Sequence, residues 1–380
     1  MIKNILFFIC LIFYSQSVLS FDTAAKQAYL IDVQSGKVLY EKNKDQKISP
    51  ASITKIMTTI VAFDLIKKGE LKLDEKFKIS KKAWRMSSQG YSSMFIMPND
   101  RVSVENLLRG IIVVSGNDAC VALAEGIAGT EEEFVVIMNS MAKKINLTNT
   151  RFANSSGLYD ENNFSTVEDI AKMSIYLINN YPELYKYYAE KKYTWDRTGG
   201  EPITQGNRNP ILYKDMGSDG LKTGHLEDSG YSLAATIKKN ERRILSVISG
   251  TISKTERSKE TIKLLSYAIN RFELLKIPKN DIKFQIKSWN LKQKSVQLQL
   301  KEDLYITIPK RKKNILKIEI DHHEGNILKN VIKKGDKVSK LNVYFDNKLI
   351  KAEDLYSSAD TQKENMFIRF VNSISHFIWG

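Results

Sequence analysis

Pro50-Ala51-Ser52-Ile53-Thr54-Lys55 sets a serine hydroxyl and a lysine amine three residues apart. Ile53, Ile56, Met57, Ile60 and Phe63 follow at helical spacing and predict a helix over 52–66. Residues i and i+3 share one face of a helix, so the amine reaches the hydroxyl. Such a pair is a candidate nucleophile and base. By itself the spacing is weak, because a helix N-cap serine followed by a surface lysine looks the same. Two further groups give it weight: Ser115-Gly116-Asn117 and Lys222-Thr223-Gly224, in that order.

Each group has its own chemistry. An ordinary serine hydroxyl needs a base within hydrogen-bond reach. Lys55 serves only when neutral, and its reference pKa of about 10.4 must fall by roughly three, or about 4 kcal/mol, for work near neutrality. Burial and a nearby cation push that way, and Lys222 is the candidate cation. Backbone N–H groups at the helix start face a developing oxyanion. Ser115-Gly116-Asn117 is a polar turn between apolar stretches, so its polar groups serve a structural turn or a ligand. In the second case Ser115 relays a proton to the leaving amine and Asn117 holds a substrate amide. Lys222 and Thr223 suit a carboxylate, by charge and by hydrogen bond. Gly224 lets a substrate backbone lie close to the strand. An edge strand with an exposed lysine is the alternative there.

Outward from these motifs, residues 28–33 and 37–40 read as two strands around Gln34-Ser35-Gly36. Residues 103–128 and 131–145 read as helices. Residues 231–236 and 243–249 read as core strands bounded by Asn240-Glu241, and a helix over 259–272 closes this part. Strands at both ends of a helical middle predict one α/β unit whose sheet joins its termini.

The 380 residues suffice for two domains. The 58 Lys and Arg against 43 Asp and Glu leave a charge of +15, which favours anionic partners. Lys3, an apolar run over 5–14, then Val18 and Ser20 have the layout of a secretory signal peptide over 1–20, too short to span a membrane. Its removal leaves Cys120 as the one cysteine, so no intrachain disulfide forms. Export excludes nucleic acid as a partner and leaves membrane surface or cell wall.

Composition shifts near Ile277-Pro278. Residues 276–357 hold +9 of the +15. Val296, Leu298 and Leu300 alternate with polar residues, as do Leu304, Ile306 and Ile308, then Leu341, Val343 and Phe345, with Asp346-Asn347 as a hairpin turn. A small β-rich domain is expected. The end, residues 358–380, differs again: Phe367, Phe370, Val371, Ile374 and Ile378 form one stripe of an amphipathic helix. That is the pattern of an interfacial membrane anchor, with a helix docked on the protein's own core as the alternative. Asp321-His322-His323-Glu324 invites a metal, but adjacent histidines on a strand point to opposite faces. No metal or cofactor is expected.

With its three motifs in order, the chain resembles the low-molecular-mass penicillin-binding proteins, specifically the D-alanyl-D-alanine carboxypeptidases with a C-terminal β-domain and an amphipathic anchor. The likeness extends through Ile31-Asp32, Leu107-Leu108-Arg109-Gly110, Asn117-Asp118-Ala119-Cys120, Ser156-Gly157-Leu158, Asp169-Ile170-Ala171, Asp219-Gly220-Leu221 and Gly230-Tyr231. It implies an α/β (α+β) transpeptidase domain of the penicillin-binding-protein and β-lactamase type over 21–275. A small all-β domain over 276–357 and an anchor helix over 358–380 complete the expected order. It also implies that Ser52 is acylated with Lys55 as base, that Ser115 and Asn117 form the second catalytic element, and that Lys222 and Thr223 bind the terminal carboxylate. Arg257, in Thr255-Glu256-Arg257-Ser258, is implied to assist, and backbone N–H groups of Ser52 and His225 to form the oxyanion hole. Peptidoglycan stem peptides are the implied substrate, β-lactams covalent inhibitors, and the periplasmic face of the bacterial inner membrane the location. Asn154-Ser155-Ser156-Gly157-Leu158 departs from relatives and is expected to affect a turn and not the chemistry. The segment over 85–94 departs too, and leaves deacylation open. A class A β-lactamase would add a Glu-x-x-Leu-Asn stretch before Lys222, which is not found. A D,D-endopeptidase shares all the chemistry and stays open, while a non-catalytic envelope-binding protein would leave the intact motifs unexplained.

Overall fold

The computed structural model describes residues 21–88, 90–197, 200–280, 291–292, 297–321 and 331–379. The expected signal peptide and the His322-His323 pair lie outside the described residues, as does Val296.

β1 (Gln27–Asp32) and β2 (Lys37–Lys42) form a hairpin, and a 3-10 turn over Ala51–Thr54 leads into α1 (Lys55–Lys68). A helical lobe follows with α2 (Lys81–Ser88), α3 (Val104–Arg109), α4 (Asn117–Ala128), α5 (Glu131–Lys144), α6 (Val167–Asn180) and α7 (Pro182–Tyr185). Two small ribbons edge it, β3 (Lys76–Lys78) with β4 (Arg101–Ser103) and β5 (Lys192–Trp195) with β6 (Ile203–Gly206). The chain returns through β7 (Ser218–Leu226), β8 (Gly230–Lys239), β9 (Arg242–Thr251) and α8 (Lys254–Arg271).

The main sheet is antiparallel, in the order β2-β1-β9-β8-β7, so its first and last strands do pair as expected. Every residue of β1 is buried. Tyr29 and Ile31 join the core of the helical lobe, while Ala28 and Leu30 pack with Leu264, Leu265 and Ala268 of α8. A strand covered on both faces needs a continuous apolar run, and Ala28-Tyr29-Leu30-Ile31 supplies it.

α8 starts at Lys254, five residues before the expected start. Ser253 Oγ accepts from Glu256 N at 3.0 Å, and the Glu256 carboxylate accepts from Ile252 N at 2.7 Å. This pair of caps begins the helix early. Arg257 therefore stands in a helical first turn, aimed by the backbone.

β10 (Phe272–Ile277) pairs with β12 (Leu304–Pro309), while β11 (Leu298–Gln299), β13 (Leu316–Asp321), β14 (Lys337–Phe345) and β15 (Lys348–Ser357) form a second sheet. Leu298, Ile306, Ile308, Leu341, Val343 and Leu355 fill its core. Asp346 and Asn347 both adopt positive φ, 52° and 59°, and turn β14 into β15 as expected. This unit meets the first through Ser35 Oγ and Thr307 Oγ1 at 2.7 Å and through Arg242, which donates to Phe272 O at 2.8 Å. α9 (Met366–Trp379) ends the chain. Its Phe367 is 74% exposed, Phe370 65% and Ile378 60%, so this stripe is not packed against the described residues. Among the described residues no helix is long and apolar enough to cross a membrane.

Candidate active site

Ser52 lies on the 3-10 turn and Lys55 is the first residue of α1. Three residues per turn eclipse positions i and i+3. Lys55 Nζ accordingly donates to Ser52 Oγ at 3.0 Å. It also donates to Asn117 Oδ1 at 2.7 Å and to Ser156 O at 2.5 Å. Lys55 is fully buried, and all three acceptors are neutral. Burial pushes its pKa down from 10.5; Cys120 and Asp118 act against this, and Arg208 adds to it. The direction is the one expected, and burial, named among the expected causes, is the largest of them.

Lys222 is 3% exposed, not the exposed lysine of an edge strand. Burial, then the charge of Lys55, then Arg208, hold its pKa well below 10.5. Among the described residues its hydrogen bond is a long one, 3.5 Å to Thr223 O. Asp219, three residues earlier in β7, takes a two-pronged bond from Arg243 at 2.7 and 2.6 Å, which pins the start of the strand. Gly224 lines the cleft and also makes a close backbone contact of its own. A Cβ there would sit 2.9 Å from Pro50 O and 3.2 Å from Ala51 Cβ, so the absent side chain admits the Ser52 turn itself.

The middle motif breaks the helical run. A wide turn over Gly110–Val114 closes with Gly116 N donating to Gly110 O at 2.9 Å, and Ser115 takes a left-handed φ of 65°. Asn117 then opens α4, with its N–H on Ser92 O at 2.8 Å. Next to it, the buried Asp118 carboxylate accepts from the N–H groups of Met94 and Phe95 at 2.9 and 2.8 Å and from Ser93 Oγ at 2.7 Å. It ties the segment over 92–96 to the motif.

A cleft of about 660 Å³ joins the parts. Ser52, Ser115, Thr223, Gly224, His225 and Arg257 line it, with Lys55, Asn117 and Lys222 buried at the site. His225 stacks on Tyr231 at 3.9 Å, and Arg257 lies over the same ring at 5.7 Å. Burial pushes the Arg257 guanidinium down to about 10; Tyr231 acts against this and Arg208 adds to it. Among the described residues Arg257 Nε is buried without a hydrogen-bond partner. All nine sequence-derived residues meet around one site.

Sequence reasoning missed three contributors. Arg208 and Tyr91 line the cleft, and Ser156 O holds Lys55. The departure over 154–158 forms a turn, as expected, and that turn also presents a carbonyl to Lys55. Asn154 Oδ1 accepts from Gly157 N at 2.7 Å and shapes the turn that presents Ser156 O. No signal in the chain links Ser156 to a lysine 101 residues away, beyond the glycine that follows it.

Two family models match the chain: "D-alanyl-D-alanine carboxypeptidase" over residues 14–253 and "Penicillin-binding protein 5, C-terminal domain" over residues 272–363. The chain is 36% identical to the D-alanyl-D-alanine carboxypeptidase DacC of Escherichia coli (strain K12), over 91% of this chain and 86% of that one. To DacA of the same organism it is 33% identical, over 92% and 87%. The solved structure of penicillin binding protein 5 from Haemophilus influenzae is similar with a TM-score of 0.80 and 36% identity, covering 90% of this chain and 98% of that one.

Proposed function

The chain belongs to the D-alanyl-D-alanine carboxypeptidase family, and from that premise we propose how its residues carry the reaction. It is a serine-type carboxypeptidase that removes the terminal D-alanine from peptidoglycan peptides. Neutral Lys55 takes the proton of Ser52 Oγ as that oxygen attacks the carbonyl between the two D-alanines. The N–H groups of Ser52 and His225 hold the oxyanion. The proton passes through Ser115 to the leaving amine, and D-alanine departs. Water, activated by Lys55, then cleaves the ester on Ser52 and restores both groups. Asn117 holds the substrate amide. Lys222, Thr223 and Arg257 receive the terminal carboxylate. The observation that carries this reading is the 3.0 Å bond between Ser52 Oγ and a fully buried lysine with only neutral acceptors.

The catalytic unit is assigned to residues 21–275, the basic β-rich unit to 276–357 and a peripheral anchor to 358–380. Residues 1–20 are assigned as the export signal, and the periplasmic face of the inner membrane as the location. Penicillin is expected to acylate the same serine. A fluorescent penicillin tests this: the wild type takes up one covalent label and Ser52→Ala none. Full labelling of Ser52→Ala rejects the assignment.

A further inference from the structure

A groove of about 810 Å³ lies outside the active site, between α5 and the chain over 147–164. Among the described residues it shares no lining residue with the catalytic cleft. Val136, Ser140 and Lys143 stand at i, i+4 and i+7 on α5 and so turn one helix face to it. That face is open to solvent, with Val136 60% exposed. On the other wall Arg151 N donates to Phe164 O at 2.9 Å and closes the loop between them, and Lys47 lies over the Phe164 ring at 4.2 Å.

Lys47, Lys143 and Arg151 bring three exposed cations to the groove. Lys144, one residue on, pairs with Asp64 at 3.4 Å, whereas among the described residues these three form no ion pair. The one acidic residue described there, Asp160, accepts from Asn162 N at 2.8 Å. Ser140, Thr148 and Asn162 add neutral hydrogen-bonding groups. Unpaired cations among hydroxyls and amides suit a carboxylate on a polar peptide better than an apolar or a cationic partner. The same loop reaches the active site: Ala153 and Asp160 line the groove, and Ser156 O between them accepts from Lys55. The substrate supplies the matching group. Every uncrosslinked stem peptide ends in a free carboxylate, before and after a D-alanine is removed, and one polymer carries many such ends.

We propose that this groove is an exosite that holds the carboxylate end of one stem peptide while the cleft cleaves another of the same polymer. The proposal rests on the carboxypeptidase reading above. Holding one end raises the local concentration of its neighbours at Ser52.

The test compares the full chain with Lys143→Gln/Arg151→Gln on a soluble pentapeptide ending in D-alanyl-D-alanine and on peptidoglycan sacculi rich in the same peptide. On the soluble peptide the two should agree within about two-fold, since neither residue lines the cleft. On sacculi the double variant should lose about 5-fold or more in kcat/KM, chiefly through KM. Pelleting of the chain with sacculi should weaken in step, and amidation of the sacculus carboxylates should bring the wild type down to the level of the variant. Lys238→Gln/Lys239→Gln, which removes two exposed charges from β8, should leave both readings at wild-type values. Equal KM on sacculi for the wild type and the groove variant overturns the proposal. So does an equal loss in the β8 variant, which would make the binding a matter of net charge. An equal loss on both substrates in the groove variant overturns it as damage to the fold. A loss confined to binding of anionic lipid vesicles overturns it in favour of a membrane contact. Release of D-alanine from the soluble peptide by the wild type upholds the carboxypeptidase reading whatever the sacculi show. Release from neither substrate overturns the reading and the proposal together.

Discussion

Lys222 shows how the site sets function against stability. A buried ammonium without a carboxylate costs free energy that an apolar side chain of similar size would not. Lys222→Met is therefore expected to raise stability by roughly 1–4 kcal/mol while nearly abolishing turnover of acid-terminated peptides. Thermal melting and a peptidase assay on the same sample check both halves. The pH dependence follows from the same burial. Lys55 and Lys222 have folded pKa values below 10.5, so between the folded and unfolded values the unfolded chain binds more protons. Their contribution to stability then rises with pH through that window, and the full cost is present below the folded values. For catalysis the signs oppose. Activity rises with pH as Lys55 becomes neutral and falls as Lys222 loses its charge. A bell-shaped profile of kcat/KM is expected, and Lys222→Met should remove the dependence of its alkaline limb on this amine.

At the level of elements, the site is a meeting of three backbones at van der Waals distance. Gly157 has a φ of 81°, and a Cβ there would sit 1.8 Å from Ala51 O. Gly157→Ala should displace Ser156 O from Lys55 and the turn that carries Ser52. A loss of about 100-fold in the rate of β-lactam acylation is expected, measured by stopped-flow on folded protein. Gly224→Ala, with its 2.9 Å contact to Pro50 O, should act in the same direction with a smaller loss. These contacts explain what could be read from the chain. The Ser52–Lys55 spacing, the β1–β2 hairpin and the Asp346-Asn347 turn are local, so composition and periodicity disclose them. The early start of α8 is also local, in the Ser253 to Glu256 spacing, but polar caps set it and apolar periodicity does not mark it. Ser156 O, the Asp118 hub and Arg208 are different. They act across 101, 24 and 116 residues respectively, and tertiary packing alone selects their partners.

Across the whole molecule, charge and apolar surface are segregated. Residues 276–357 hold +9 of the +15, and an exposed apolar stripe ends the chain. Burying part of Phe367, Phe370, Val371, Ile374 and Ile378 in a bilayer contributes up to about 1.5–3 kcal/mol per side chain, enough for reversible attachment. The basic unit adds an attraction to anionic lipid that salt weakens. A chain ending at Ser358 should stay soluble with liposomes at high salt and keep its activity on small peptides, because every residue assigned to the reaction precedes Ile277. Pelleting of that shortened chain at high salt would exclude α9 as the anchor. Ser52 is expected to be acylated by a D-alanyl-D-alanine peptide with loss of one residue. Mass spectrometry of the purified chain with a stem pentapeptide tests it most directly. Release of a single D-alanine and a transient adduct on the fragment containing Ser52 are expected, with both absent in Ser52→Ala. Release that persists in Ser52→Ala, or an adduct mapped to any other residue, would contradict it.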